Sequence, residues 1–389
     1  MTDAELHAHV TDLFLEALAV PDAERDAWLH ESVSDPDIRE RVHALLANHT
    51  PTGLLDEPAF VRAPEDLGVE ASGDPFLGQT VGPWHVVDLL GRGGMGTVYR
   101  AERHDESFDQ SVALKLVRPG FGEHFRARFV RERALLASLD HPGIARLLDG
   151  GVASGGTPYL AIELVDGTPI TTYADARGLD IEARLRLFVL ACDAVAYAHR
   201  NLVVHRDLKP DHIVVEAVDE ETRVKLLDFG VAKLLSDDDD VLTRTGSAGP
   251  LTPAYASPEQ LRGSPITTAT DVYALGLVLY EVLTGRRPYS LSGLTLVQAD
   301  RVVSETIPPL ASEVAPPEAR RALRGDLDTI AAKALEKEPN RRYATAADLA
   351  ADIRRYLDGL PVEARPATAA YRTARFLKRH RVLASAVAT

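Results

Sequence analysis

Apolar residues recur at helical spacing through the first fifty positions. Leu6, Val10, Leu13, Phe14, Ala17 and Leu18 follow Thr2 and Asp3, residue types suited to capping a helix. Pro21 ends that run, and a second helix is expected around Ala23–Leu29 with Trp28 on its apolar side. Asp35-Pro36 reads as an N-cap followed by proline at the first helical position, and Ile38, Val42, Leu45 and Leu46 give a third helix its apolar face. Residues 1–50 are thus expected to form a small helical module, and docking a protein partner is one use for it. Over residues 51–83 the periodicity fails. Pro51, Pro58, Pro64, Pro75 and Pro83 are interspersed with Gly53, Gly68, Gly73, Gly78 and Gly82, the composition of a linker.

From Trp84 the pattern becomes strand-like. Val86–Leu90 and Thr97–Ala101 flank a glycine-rich turn, and Ser111–Val117 forms a third apolar run. Phe125–Leu139 reads as a helix whose core face is Phe129, Leu135, Leu136 and Leu139. Beyond Leu164 helical patterns dominate to about Tyr356. A small β-rich lobe (84–165) ahead of a larger helical lobe (166–357) is an α+β, two-lobed arrangement.

Composition narrows the function classes. The 389 residues are 45% hydrophobic and 26% charged, as in ordinary globular proteins with a sizeable core. A net charge of −15 argues against nucleic acid as a partner. The single cysteine, Cys192, excludes an internal disulfide framework and suits a reducing cytosol. It sits in the helical run Leu187–Tyr197, where a small buried core residue is expected. Asp3 and Glu5 stand where a secretory signal would be basic. Residues 358–389 reverse the sign: Arg372, Arg375, Lys378, Arg379, His380 and Arg381 precede the small or apolar stretch Val382–Thr389. Such a segment reads either as a solvated helix end of a cytoplasmic protein or as a stretch beside a membrane, on the cytoplasmic face of the inner membrane.

The chemistry is concentrated in four places. Gly91-Arg92-Gly93-Gly94-Met95-Gly96-Thr97-Val98 lies between two expected strands, and its glycines let backbone N–H groups approach phosphates. Val98 and Ala113 are placed to cover a flat adenine ring. Lys115, on the third strand, offers an ammonium to the phosphates, and Glu132 on the following helix is its expected anchor. His205-Arg206-Asp207-Leu208-Lys209-Pro210-Asp211-His212 supplies a carboxylate and a lysine two residues apart. Asp228-Phe229-Gly230 adds a second carboxylate 21 positions after Asp207. Phosphoryl transfer from Mg-ATP to a hydroxyl needs one acid to orient the attacking oxygen and one to hold metal.

In order and spacing these motifs resemble those of bacterial eukaryotic-type (Hanks-type) Ser/Thr protein kinases, over about 70% of the chain, residues 84–357. The resemblance implies the two-lobed protein-kinase fold and transfer of the ATP γ-phosphoryl group to Ser or Thr hydroxyls of protein substrates. It implies that Gly91, Arg92, Gly93, Gly94, Met95 and Gly96 cover the phosphates, that Lys115 pairs with Glu132, and that Ile162 precedes a hinge, Glu163 to Val165, that binds adenine. Asp207 matches the catalytic base, Lys209 the lysine that neutralises the moving phosphoryl group, Thr252 the threonine that bonds both, and Asp228 the principal Mg²⁺ ligand. Glu259 is expected to pair with Arg342, and Asp271 to hold the catalytic-loop backbone, with Tyr273 in place of the usual tryptophan. A homodimer is compatible with the family.

One residue departs from the pattern. His212 stands where the family has a second metal-binding asparagine. Mg²⁺ prefers oxygen ligands, whereas imidazole nitrogen suits softer metals. A histidine with an ordinary pKa of about 6.5 would also repel cations when protonated, so activity is expected to rise with pH. Two readings follow: an active kinase that prefers Mn²⁺, or a nucleotide-binding pseudokinase acting as a scaffold. Between Asp228 and Glu259, the candidate sites for autophosphorylation are Thr243, Thr245 and Ser247, with Arg206 placed to receive a phosphate.

Overall fold

The computed structural model describes residues 29, 33, 35, 39, 74–93, 96–105, 108–117, 123–153, 156–218, 221–229, 253–365, 368, 371 and 373. The chain divides into two compact units, Met1–Glu57 and Pro58–Thr389. In the first, Leu29 and Val33 are buried, and the Val33 N–H donates to the Leu29 carbonyl at 3.1 Å, one helical turn back. The Arg39 N–H donates to the Asp35 carbonyl at 3.1 Å, one turn at the start of the third expected helix. The rest of the three-helix reading lies outside the described residues, as does most of the linker.

The second unit begins with an antiparallel sheet. Its strands are β1 (Thr80–Val81), β2 (Trp84–Gly93), β3 (Gly96–Asp105), β4 (Phe108–Val117), then β5 (Leu147–Val152) and β6 (Pro158–Glu163), in the order β1-β2-β3-β4-β6-β5. Period-two alternation sorts the two faces. Val112, Leu114 and Leu116 of β4 join Val81, Trp84, Val86, Tyr99, Ala101, Tyr159 and Ala161 in one apolar cluster. The intervening Ala113 and Lys115 therefore point to the other face. There Val117, Leu160 and Phe129 pack together, the last from helix α1 (Glu123–Ala137).

The β2–β3 ladder runs to Gly93↔Gly96 at the tip of the hairpin. Gly96 has φ +151, and a Cβ there would lie 2.1 Å from the Leu116 carbonyl oxygen. Only glycine lets β3 enter so close to β4.

The larger lobe starts with β7 (Thr168–Pro169), α2 (Ile170–Ala176) and α3 (Ile181–Arg200). Asp180 caps α3, its carboxylate accepting the Ala183 N–H at 2.8 Å. Leu185, Phe188, Cys192 and Val195 line its buried face, so Cys192 is a core residue whose thiol is pushed up by burial. After α3 come β8 (Ile213–Val218) and β9 (Glu221–Leu226), which form a small sheet in the order β7-β8-β9. These strands interrupt the run of helices expected after Leu164. Next come α4 (Pro258–Leu261) and α5 (Thr268–Thr284), capped by Thr267 and closed by Gly285 at φ 67. Nearly every residue of α5 is buried, because α6 (Leu296–Glu305), α7 (Ala311–Val314), α8 (Pro317–Leu323), α9 (Asp326–Ala334) and α10 (Ala346–Leu357) complete one large core around it and α3.

The described structure extends past both expected ends of this domain. Residues 74–83 are built into the small lobe rather than forming linker. Gly78 donates to the Val86 carbonyl at 3.0 Å and Val86 to that of Gln79 at 2.9 Å. At the other end Val362, past the expected limit at Leu357, is 2% exposed within the large core. The basic run from Arg372 to Arg381 lies outside the described residues except for Thr373. Among the described residues no helix is long and apolar enough to cross a membrane.

Candidate active site

Between the sheet and the helical lobe lies a cleft with about 590 Å³ of empty space, open to solvent. Val98 and Ala113 line it from the sheet, with Ile162, Glu163, Leu164 and Val165 at the back and Lys115 and Asp228 at the inner end. Leu90, Gly167, Val214 and Leu227 complete it. None of those four stands out as a site residue in the sequence. Leu227 directly precedes Asp228 and Val214 is buried within β8, so a strand reading of 213–226 is the signal that could place both.

Lys115 is 3% exposed and its ammonium is in contact with a carboxylate oxygen of Asp228, 113 residues on. Burial alone would raise the Asp228 carboxyl. The Lys115 charge and hydrogen bond outweigh that and hold it below the ordinary carboxylate value, so it is ionised at neutral pH. Asp228 adopts φ 53, in the left-handed region.

Arg206 is also left-handed, at φ 66, a conformation that costs an ordinary residue about 1–2 kcal/mol. The loop is held there by fixed bonds. Asp271, at the buried start of α5, accepts the Arg206 N–H at 2.9 Å on one oxygen. Its other oxygen accepts the His205 N–H at 2.7 Å and the His199 ring at 2.8 Å. Gln260 donates to the Arg206 carbonyl at 2.8 Å, and His205 Nε2 donates to the Leu227 carbonyl at 2.9 Å. Strain maintained by surrounding structure marks a site rather than a random loop. The outcome is that Asp207, mostly buried, lies near enough to Asp228 for its charge to act on that carboxylate. Lys209 follows in extended backbone ahead of a 3₁₀ turn, Pro210–His212.

His212 differs from its expectation. It is 3% exposed, and burial pushes its pKa down to about 3 although Asp207 and Asp228 oppose the shift. The ring is therefore neutral across the physiological range, and the expected repulsion of cations near neutral pH does not arise. Its Nδ1 lies 2.7 Å from the Asp207 carbonyl, which can only accept. Nδ1 thus carries the proton, and Nε2 keeps the lone pair.

Residues 84–352 match the family described as Protein kinase domain, more than half of the chain. The chain belongs to the protein kinase domain family. Its sequence is 37% identical over 283 residues to serine/threonine-protein kinase PknB of Mycobacterium tuberculosis, covering 71% of this chain and 43% of that protein. It is 36% identical over 284 residues to serine/threonine-protein kinase PrkC of Bacillus subtilis, covering 71% and 41%. The chain thus spans less than half the length of these relatives. Among solved structures, the kinase domain of PknI from Mycobacterium tuberculosis matches 72% of this chain and 98% of its own, with a TM-score of 0.55 and 26% identity.

The kinase domain gathers Lys115, Asp207, His212 and Asp228 in one place. Gly91 pairs with Val98 and Arg92 with Thr97 at the hairpin end. Glu132 lies on α1, but its side chain is outside the described residues. Gly94, Met95, Thr252, Thr243, Thr245 and Ser247 are outside them altogether. Among the described residues no three His, Cys, Asp or Glu side chains converge as a self-sufficient metal cage. One ionised carboxylate, at Asp228, with a second nearby, fits a hard divalent cation that prefers oxygen ligands.

Proposed function

We propose that this protein transfers the γ-phosphoryl group of ATP to Ser or Thr hydroxyls of protein substrates, and that Asp207, Lys209, Lys115 and Asp228 carry the reaction. The observation that supports this most is the buried Lys115–Asp228 pair lining the cleft, with the Asp207 carboxylate near enough to act on Asp228. Apolar Val98, Ala113 and Leu227 suit an adenine ring, and backbone groups of Glu163 to Val165 suit its polar edge. Lys115 is placed to hold phosphate oxygens. Asp207 would accept a hydrogen bond from the substrate hydroxyl and fix it for in-line attack. Lys209 would offset the charge that develops on the moving group. Asp228 would hold a divalent cation, which would supply positive charge to the phosphates.

The finer identity of that cation is part of the proposal. The protonated Nδ1 of His212 is engaged by a backbone carbonyl, the arrangement that commonly orients metal-bound histidines, and Nε2 is a nitrogen donor. This supports a preference for Mn²⁺ over Mg²⁺.

The test is incorporation of labelled phosphate into the chain itself and into a generic protein acceptor, with Mg²⁺ and with Mn²⁺. Asp207→Asn is the blank and should lower transfer by about 10²–10⁴-fold. Nucleotide binding with no transfer above that blank in either metal would leave a scaffold in place of an enzyme.

A further inference from the structure

Asp74 lies ten residues ahead of the family match. Its side chain is 5% exposed, and among the described residues its hydrogen bonds lead to the glycine-rich hairpin or to the backbone of Phe76. Oδ2 accepts from Arg92 Nη2 at 2.6 Å. The Tyr99 hydroxyl is 3.0 and 3.1 Å from the two oxygens. The Phe76 N–H donates to Oδ1 at 2.9 Å. Burial would raise this carboxyl, yet the hydrogen bonds and the Arg92 charge hold it below its ordinary value.

Arg92 and Tyr99 stand on opposite strands of the hairpin. Arg92 pairs with Thr97 close to the tip, and Tyr99 pairs with Leu89. Tyr99 belongs to the outer core, whereas its neighbour Val98 lines the cleft. The Asp74 carboxylate therefore braces both strands from the face away from the nucleotide pocket. Asp74 is itself fixed: Phe76 packs on Tyr99 with ring centroids 6.2 Å apart, and Gly78 and Gln79 bond to β2.

A turn rich in glycine can approach phosphates closely but must surrender much conformational freedom when it does. Arg92, between Gly91 and Gly93, is where a side-chain anchor limits that freedom in advance. We propose that Asp74 is a positioning residue that holds the phosphate-covering turn through Arg92 and Tyr99, and so tightens ATP binding without touching the nucleotide. The proposal rests on the nucleotide-binding reading above.

The test uses the full chain, titrated with a fluorescent ATP analogue and Mg²⁺, together with KM and kcat for ATP. Asp74→Asn keeps the size of the side chain and can still accept from Phe76 and Tyr99, but loses its charge toward Arg92. Kd and KM should rise about three- to fivefold, the scale of a partly exposed charge pair, with kcat at saturation retained. Asp74→Asn with Arg92→Gln should bind no more weakly than Arg92→Gln alone. Asp88→Asn breaks the 2.6 Å Asp88–Arg100 pair on the same strands, farther from the turn, and should leave KM as it is. Unchanged affinity in Asp74→Asn, additive losses in the double variant, or an equal rise in Asp88→Asn would overturn the proposal while wild-type protein still binds ATP. Wild-type protein that binds no ATP would instead overturn the nucleotide-binding reading and this proposal with it.

Discussion

Arg342 grips Glu259 across 83 residues of chain, with Nη1 and Nη2 donating to separate carboxylate oxygens at 2.7 and 2.8 Å. No donor of the guanidinium is wasted. Nε bonds the Glu336 carbonyl at 2.8 Å, Nη1 that of Ala269 at 2.8 Å and Nη2 that of Lys337 at 2.9 Å. The plane also lies 4.8 Å from the Tyr273 ring centre. Glu259 lies in α4, which carries Gln260, the residue bonded to the Arg206 carbonyl. The pair thus ties the far end of the helical lobe to the catalytic loop.

Arg342→Ala should cost about 3–5 kcal/mol of stability at pH 7, because Glu259 is left buried and unpaired. Arg342→Lys should recover little, since one ammonium cannot serve two carboxylate oxygens and three carbonyls. Burial would raise the Glu259 carboxyl, but Arg342 holds it below its ordinary value. Its contribution is therefore complete above that ordinary value, about 4.3, and is lost as pH falls through the folded value. Urea denaturation at pH 7 and pH 4 should show a smaller acid loss in Arg342→Ala than in wild type.

Past α10 the chain turns back onto two buried acids. Asp352, 1% exposed, accepts from the Tyr343 hydroxyl at 2.8 Å and from the backbone N–H groups of Glu363 and Ala364 at 2.5 and 2.8 Å. Asp326 accepts from the Tyr371 hydroxyl at 2.8 Å and pairs with Arg365 at 3.3 Å. Ending the chain at Leu357 removes two of the three donors to Asp352 and exposes the site of Val362. The shortened protein should lose at least about 3 kcal/mol. Equal melting temperatures for the two lengths would show that the segment only rests on the lobe.

Sequence reasoning reached the site more readily than its supports, for a physical reason. Lys115, Asp207 and Asp228 sit in fixed local motifs whose spacing reflects the chemistry directly. The brace at Asp74 and the seat of Val362 depend on long-range packing, and proline and glycine around them look the same in an anchored segment as in a free one. The hairpin from Ile213 to Leu226 was lost among helices because each strand has six residues, too few to separate a two-residue period from a helical one. The state of His212 depends on burial, which its neighbours in sequence do not reveal.

Lys337 should make stability rise with pH on the alkaline side. Its ammonium donates to the Tyr289 hydroxyl and to the Val303 carbonyl at 2.6 Å, and lies over the Tyr289 ring at 4.6 Å. Burial, and then the nearby Arg342 charge, push its pKa down to about 8. Between about 8 and the ordinary lysine value of about 10.4, the unfolded chain holds the proton and the folded chain does not. Stability therefore climbs across that window. Lys337→Met should flatten it, and an unchanged slope in that variant would place the titration elsewhere.

His212→Asn separates metal choice from protonation. With the ring neutral above about pH 3, the rate profile between pH 6 and 8 should carry no step that the asparagine variant lacks. The ratio of Mn²⁺- to Mg²⁺-supported activity should nevertheless fall about tenfold, as a nitrogen donor gives way to an amide oxygen. Stability supplies an independent reading. The folded pKa lies below the ordinary histidine value, so the unfolded chain takes up a proton first, and His212 weakens the fold as pH drops from about 6.5 toward 3. The variant should be less acid-sensitive over that range in thermal melts. If acid sensitivity and metal ratio both stayed at wild-type values, His212 would be neither a buried neutral imidazole nor a neighbour of the metal.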